Sequence, residues 1–195
     1  MSDEDRLRLE LGRVVAGRPL SIVGNATSLL ASTHGALIDS GCVLRMNAGI
    51  PINRKAQGRR TDIHCFSTMP ALQMNLGSAK GRWLRWRNAG SFHNALRIWM
   101  HPENRDLCED PEQLFYPEWR WRQLADILHA PPSVGAMALD MVAMFAGQTD
   151  VRIFGFDFKS STTFYRKRDK KGHHDWSAER QFALALTQER GWNLV

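Results

Sequence analysis

Residues 132–158 read PSVGAMALDMVAMFAGQTDVRIFGFDF, and no other stretch limits the fold so tightly. Met137, Met141, Val142, Met144 and Phe145 recur at the i, i+3/i+4 spacing of a buried helical face. Gly147 ends that helix, and Asp150 opens a short apolar strand, Val151-Arg152-Ile153-Phe154-Gly155-Phe156. A helix that leads into a buried strand is half of a βαβ unit. The turn before it, Pro132-Ser133-Val134-Gly135, leaves backbone N–H groups and the positive end of a helix dipole where a phosphate can sit. A core helix that merely starts on small side chains fits the same residues. The stretch alone does not separate the two.

The rest of the chain alternates in the same way. Strand starts fall at 20, 42, 61, about 95, 150 and 192, with helical stretches between them. This predicts one α/β domain over residues 1–195, with a mostly parallel, Rossmann-like sheet and helices on both faces. Ser2-Asp3-Glu4-Asp5 has capping-box spacing, and Leu7, Leu11, Val14 and Val15 continue it as an amphipathic helix. Asp3-Glu4-Asp5 is also formally a DxD metal motif. Its place at a helix start favours the cap, no second DxD occurs, and no catalytic metal is expected.

Polar residues stand where strands end. Gly24 and Asn25 follow the first strand, Asn47 the second and Ser67 the third, at the carboxyl ends where open α/β sheets place ligands. The Asn25 amide both donates and accepts, which suits a sugar or phosphate, although its position alone favours an ordinary turn asparagine. His64 falls mid-strand and reads as a packed core histidine. Residues 52–58 read as a mobile basic loop. Residues 112–128 should contain a helix, interrupted or begun at Pro117. Two tryptophan–arginine clusters, at 83–87 and 119–122, suit either stacking on bases or sugars or amphipathic packing. The polar loop 159–171 ends in a basic run and reads as a lid or as solvated chain. Asp175 then caps a helix from Trp176 to about Glu189.

The net charge of +6 and pI near 9.6 point to an acidic partner such as a nucleotide, an anionic sugar, a nucleic acid or a membrane surface. No apolar run reaches membrane-spanning length, and the acidic start is unlike a signal peptide. The three cysteines, Cys42, Cys65 and Cys108, are odd in number and widely spaced, which predicts reduced thiols.

VGNA at 23–26, followed about twenty residues later by VLRMNAG, resembles the large sialylmotif of the glycosyltransferase family 29 sialyltransferases. PSVGAMAL…VRIFGFDF is similar to their small sialylmotif, and His174-x4-Glu179 to their very small motif. The spacing of Tyr165 after Gly155-Phe156-Asp157-Phe158 resembles the bacterial sialyltransferase family 42. The resemblance implies a GT-A-variant fold and an inverting, metal-independent glycosyltransferase. Its donor would be a CMP-activated keto-sugar, sialic acid or Kdo, and its acceptor a glycan or glycolipid. No cofactor and no nucleic acid are expected. Leu20 and Gln148 stand where the family carries a cystine, and the chain shows no membrane anchor or stem. A bacterial or viral cytoplasmic enzyme, with peripheral contact at the inner membrane, is the corresponding expectation.

The same resemblance places Gly24, Asn25, Asn47, Ser67, Ser133 and Gly135 at the donor, and Tyr165 at its phosphate. His174 becomes the general base. It precedes a helix N-terminus and follows a basic run, both of which disfavour imidazolium, while Asp175 acts in the opposite sense. His173 is the rival base, and Glu179 reads as orienting. Pro131 stands where family 29 commonly has a tyrosine. A non-catalytic protein that binds RNA or another polyanion through the tryptophan–arginine clusters is the alternative from another class.

Overall fold

Seven short strands form one parallel sheet in the computed structural model, which describes residues 2–68, 71, 77, 82–83, 94–147, 150–165 and 172–195. They are β1 (Leu20–Val23), β2 (Cys42–Met46), β3 (Ile63–Phe66), β4 (Leu96–Trp99), β5 (Leu114–Phe115), β6 (Val151–Phe154) and β7 (Asn193–Leu194). The spatial order is β5-β4-β3-β2-β1-β6-β7, and every neighbouring pair is parallel. From β1 the chain builds outward through β5. It then returns to lay β6 against the other side of β1. The carboxyl ends of β1 and β6 therefore flank the point where the strand order reverses, and open parallel sheets hold their crevice there.

Alternation along β1 and β2 divides the core into two faces. Leu20, Ile22, Cys42 and Leu44 join the larger cluster, together with Leu7, Leu11 and Val15 of α1 (Asp3–Val15). Val23 and Val43 face the other way, and pack with Leu29, Ile38 and Phe154. That second face is covered by a 3-10 turn (Thr27–Ala31) and the short α2 (Gly35–Ile38). Helices thus lie on both sides, as the alternation of elements predicts. β1, β2 and β3 are buried at every position, as interior strands covered on both faces must be.

One segment differs from the sequence expectation. Residues 52–58 are not an open loop: Asn53 caps α3 (Arg54–Gln57), and its side chain accepts from the Lys55 and Ala56 N–H groups. Gln57 is fully buried and accepts from the N–H groups of Ile52 and Asn53. The buried Arg45 guanidinium donates to the Gln57 carbonyl at 2.6 Å and to the Arg60 carbonyl at 2.8 Å. These tertiary bonds fix a segment whose composition alone reads as mobile. Further on, the helix expected within 112–128 takes its start at Pro117, and Leu114 and Phe115 before it form a short strand. They pair with β4, and α4 (Glu118–Leu128) begins only after Pro117.

The second tryptophan–arginine cluster lies on α4 and is divided, with Arg120 and Trp121 turned inward and Trp119 and Arg122 at the surface. Arg120 points inward to the buried Asp140, with its Nε at 2.9 Å from Oδ2, and the Tyr116 hydroxyl donates to the same oxygen at 2.6 Å. Trp121 packs on the core, Arg122 pairs with Glu118, and the Trp119 indole donates to Glu4. Of the first cluster only Trp83 is among the described residues, and it is exposed. The basic run 166–171 and Gln148 also lie outside them.

The amino-terminal acidic triplet is a helix cap. Ser2 and Asp5 close a capping box, and Asp3 pairs with Arg105. All three cysteines are free thiols.

Candidate functional site

Residues 133–136, Leu139 and residues 155–158 line part of the site. Ser133 caps α5 (Val134–Phe145), its hydroxyl accepting from the Ala136 N–H at 3.2 Å. That hydroxyl donates to Glu179 Oε2 at 2.6 Å, and the Ser133 N–H donates to Oε1 at 2.8 Å. Glu179 sits in the first turn of α6 (Trp176–Arg190) and is only 3% exposed. Burial raises its pKa, against the lowering effect of the two Ser133 bonds. Ser133 is therefore occupied in shaping the helix start. Val134 and Gly135 follow it, and their N–H groups make no hydrogen bond among the described residues. An anion at this end of α5 would meet those two donors and the helix dipole.

His174 precedes the cap of α6, whose Asp175 side chain accepts from the Ser177 and Ala178 N–H groups. Its Nδ1 lies 2.8 Å from the Pro131 carbonyl oxygen. A carbonyl only accepts, so Nδ1 carries the proton and Nε2 is the lone-pair nitrogen of the neutral ring. The ring stands edge-on to Trp176, 5.1 Å between centroids. Pro131, which departs from the family pattern, thus holds the histidine through its backbone. His173 is exposed and does not line the cleft.

The strand ends form the opposite wall. The Asn25 amide nitrogen donates to the Met46 carbonyl at 3.1 Å, which leaves its oxygen as an acceptor. Asn47 has φ 50°, a left-handed conformation that asparagine tolerates better than most residues. Its side-chain oxygen accepts from the Ser67 N–H at 3.1 Å, which leaves its amide nitrogen as a donor. His64 Nε2 donates to the Asn47 carbonyl at 2.7 Å. Burial lowers the pKa of His64 to about 4, so the ring is a neutral core donor, in keeping with its mid-strand position. Gly24 has a packing reason: a Cβ there would stand 2.2 Å from the Gly155 carbonyl oxygen.

These residues meet in a cleft of about 340 Å³ at the β1/β6 crevice, within the range of small-ligand pockets. Gly24, Asn25, Asn47, Ser67, Ser133, Gly135, Tyr165 and His174 all line it, so every site residue expected from the sequence is brought to one place. The Tyr165 ring packs on the cluster of Ile50, Phe66, Trp99 and Phe115. The sequence reading missed Lys159, Trp176 and His101, which also line the cleft. Lys159 lay inside a polar loop and His101 after a strand in the least motif-like region, so neither carried a local signal. Among the described residues no group of three or more histidine, cysteine or acidic side chains is arranged to hold a metal.

No family model matches the chain, and no curated protein sequence does. Solved structures do. A mammalian sialyltransferase matches with a TM-score of 0.64 at 17% identity, over 99% of this chain and 78% of that one. The sialyltransferase CstII from Campylobacter jejuni, solved with the substrate analogue cytidine-5'-monophosphate, matches with a TM-score of 0.57 at 14% identity, over 91% of this chain and 78% of that one. At such identities the likeness establishes architecture, and the architecture is shared along almost the whole chain: the protein has the sialyltransferase fold.

Proposed function

We propose that this protein is an inverting, metal-independent glycosyltransferase that moves an acidic keto-sugar, sialic acid or Kdo, from a CMP donor to a glycan or glycolipid hydroxyl. The observation that carries the reading is the meeting of His174 with the open N–H groups of α5 in one cleft. The candidate base and the candidate anion cradle are neighbours, linked through Pro131 and Ser133. In the step, the acceptor oxygen attacks the anomeric carbon and the carbon–oxygen bond to phosphate breaks. The electron pair leaves on the phosphate, and the acceptor proton passes to His174 Nε2. Asn25 and Asn47 offer one acceptor and one donor to the nucleotide. The leaving group is a monophosphate, whose charge backbone N–H groups and a hydroxyl such as that of Tyr165 can meet without a divalent ion.

The free thiols fit a reducing, cytoplasmic setting. Among the described residues no helix is long and apolar enough to cross a membrane. On α4, Arg120 is turned inward to Asp140 and so is not offered to a polyanion. The deciding experiment is incubation with CMP-sialic acid or CMP-Kdo and an acceptor array, beside a thermal-shift comparison of CMP and oligonucleotides. Transfer, with stabilisation by CMP, is expected. Salt-sensitive stabilisation by oligonucleotides alone, without transfer, would reject the reading.

A further inference from the structure

We propose that Lys159 is the cation that receives the charge developing on the nucleotide phosphate as it departs; the assignment rests on the CMP-donor reading above. Among the described residues that line the cleft, Lys159 is the one lysine or arginine. It is also held there against its own backbone preference. Phe158 and Lys159 have φ 51° and 67°, two successive non-glycine residues in the left-handed region. Such conformations persist only where the surroundings over-determine them, and they gather at ligand clamps.

The surroundings do so here. Asp157 accepts from the Ser28 hydroxyl at 2.9 Å and the Ser161 N–H at 3.1 Å, closing the loop at its root. The far side is fastened to the β1 end: the Thr27 N–H donates to the Thr162 carbonyl, and the Phe164 N–H to the Asn25 carbonyl. Within this frame the Lys159 ammonium donates to Thr163 Oγ1 at 2.7 Å and lies 5.5 Å from the centre of the Trp176 ring. Trp176 in turn stands edge-on to His174. The lysine and the proposed base thus flank one indole.

The chemistry gives this placement its use. In a CMP-sugar the phosphodiester carries one negative charge. When the bond to the anomeric carbon breaks, the electron pair stays on the phosphate oxygen and the released CMP carries about two. A fixed ammonium therefore gains attraction as the bond breaks, which lowers the barrier rather than only tightening binding. The α5 N–H groups supply dipoles, and Lys159 adds a full charge.

Calorimetric titration of CMP and of cytidine into wild-type protein, Lys159→Met and Lys159→Gly tests the assignment. Glycine removes the side chain while tolerating the left-handed backbone that methionine strains, and thermal unfolding of each variant checks that it is folded. Both should bind CMP roughly 10–100-fold more weakly and cytidine as tightly as wild type, with kcat lowered. Equal losses for CMP and cytidine, or no loss for either, would overturn it. So would a loss seen with the intact CMP-sugar but not with CMP, since the lysine would then serve the sugar carboxylate. Wild-type protein that binds neither CMP nor cytidine sinks the donor reading and this assignment together. Wild-type binding with unaffected variants sinks only the assignment.

Discussion

The Glu179 carboxylate takes both the N–H and the hydroxyl of Ser133, at 2.8 and 2.6 Å, and so ties the first turn of α6 to the first turn of α5. His174, the proposed base, precedes one helix and the proposed anion cradle opens the other, so this pair sets the distance between them. Glu179→Ala should leave the Ser133 groups buried without their acceptor, at a cost of roughly 1–3 kcal/mol in denaturant unfolding. CMP affinity should fall with it, because the Val134 and Gly135 N–H groups lose their alignment.

His174→Ala should cut transfer by roughly 10²–10⁴-fold while CMP affinity stays close to wild type. The loss should fall on kcat, since the imidazole acts as the acceptor proton leaves. His173→Ala should be mild. Steady-state kinetics beside a CMP titration checks the split, and full activity in His174→Ala would remove it as the base.

Asn47 contributes a side chain and a left-handed backbone, and two variants separate them. Asn47→Gly keeps the conformation and deletes the amide, whereas Asn47→Ala loses both. Each should weaken CMP binding by roughly 1–3 kcal/mol if the amide meets a buried group of the ligand. Asn47→Ala should also lower the unfolding midpoint, and Asn47→Gly should do so less.

His64 makes stability depend on pH. Its folded pKa is depressed to about 4 from the ordinary 6.5, so between those values the unfolded chain binds the extra proton. Stability should fall as pH drops through that window, by roughly 2 kcal/mol between pH 7 and pH 5 from this residue. Urea unfolding at the two pH values measures it, and His64→Gln should flatten the difference.

Arg120 and Asp140 form a buried pair, with side chains 18% and 2% exposed. Arg120→Ala should destabilise the protein by about 3–5 kcal/mol, because Asp140 and Tyr116 would keep a buried charge without its partner. Arg122→Ala, at an exposed i,i+4 pair, should change stability by less than about 1 kcal/mol. Thermal unfolding of the two variants checks the contrast, and similar effects would mean α4 is not anchored as described.

Local chemistry was enough for much of this molecule. The apolar spacing of 132–158, the strand alternation and the caps at Ser2 and Asp175 follow from short-range sterics and hydrogen bonding, so the elements were legible in the sequence. Strand ends mark the ligand side of an open parallel sheet, but position alone left Asn25 an ordinary turn residue, and it was the resemblance that singled out Asn25 and Asn47, which line the cleft with Ser67. Tertiary structure decided whatever depends on partners distant in sequence. β5 exists because β4 offers an edge to two residues, and α3 because Arg45 and Gln57 meet in the core. Arg120 turns inward because a buried carboxylate on α5 draws it there. Lys159 reaches the cleft only because Asp157 and the β1 end bend its loop through a conformation no local preference selects. A sequence carries each residue's preferences, whereas a long-range contact offsets such a preference only after folding has brought the two groups together.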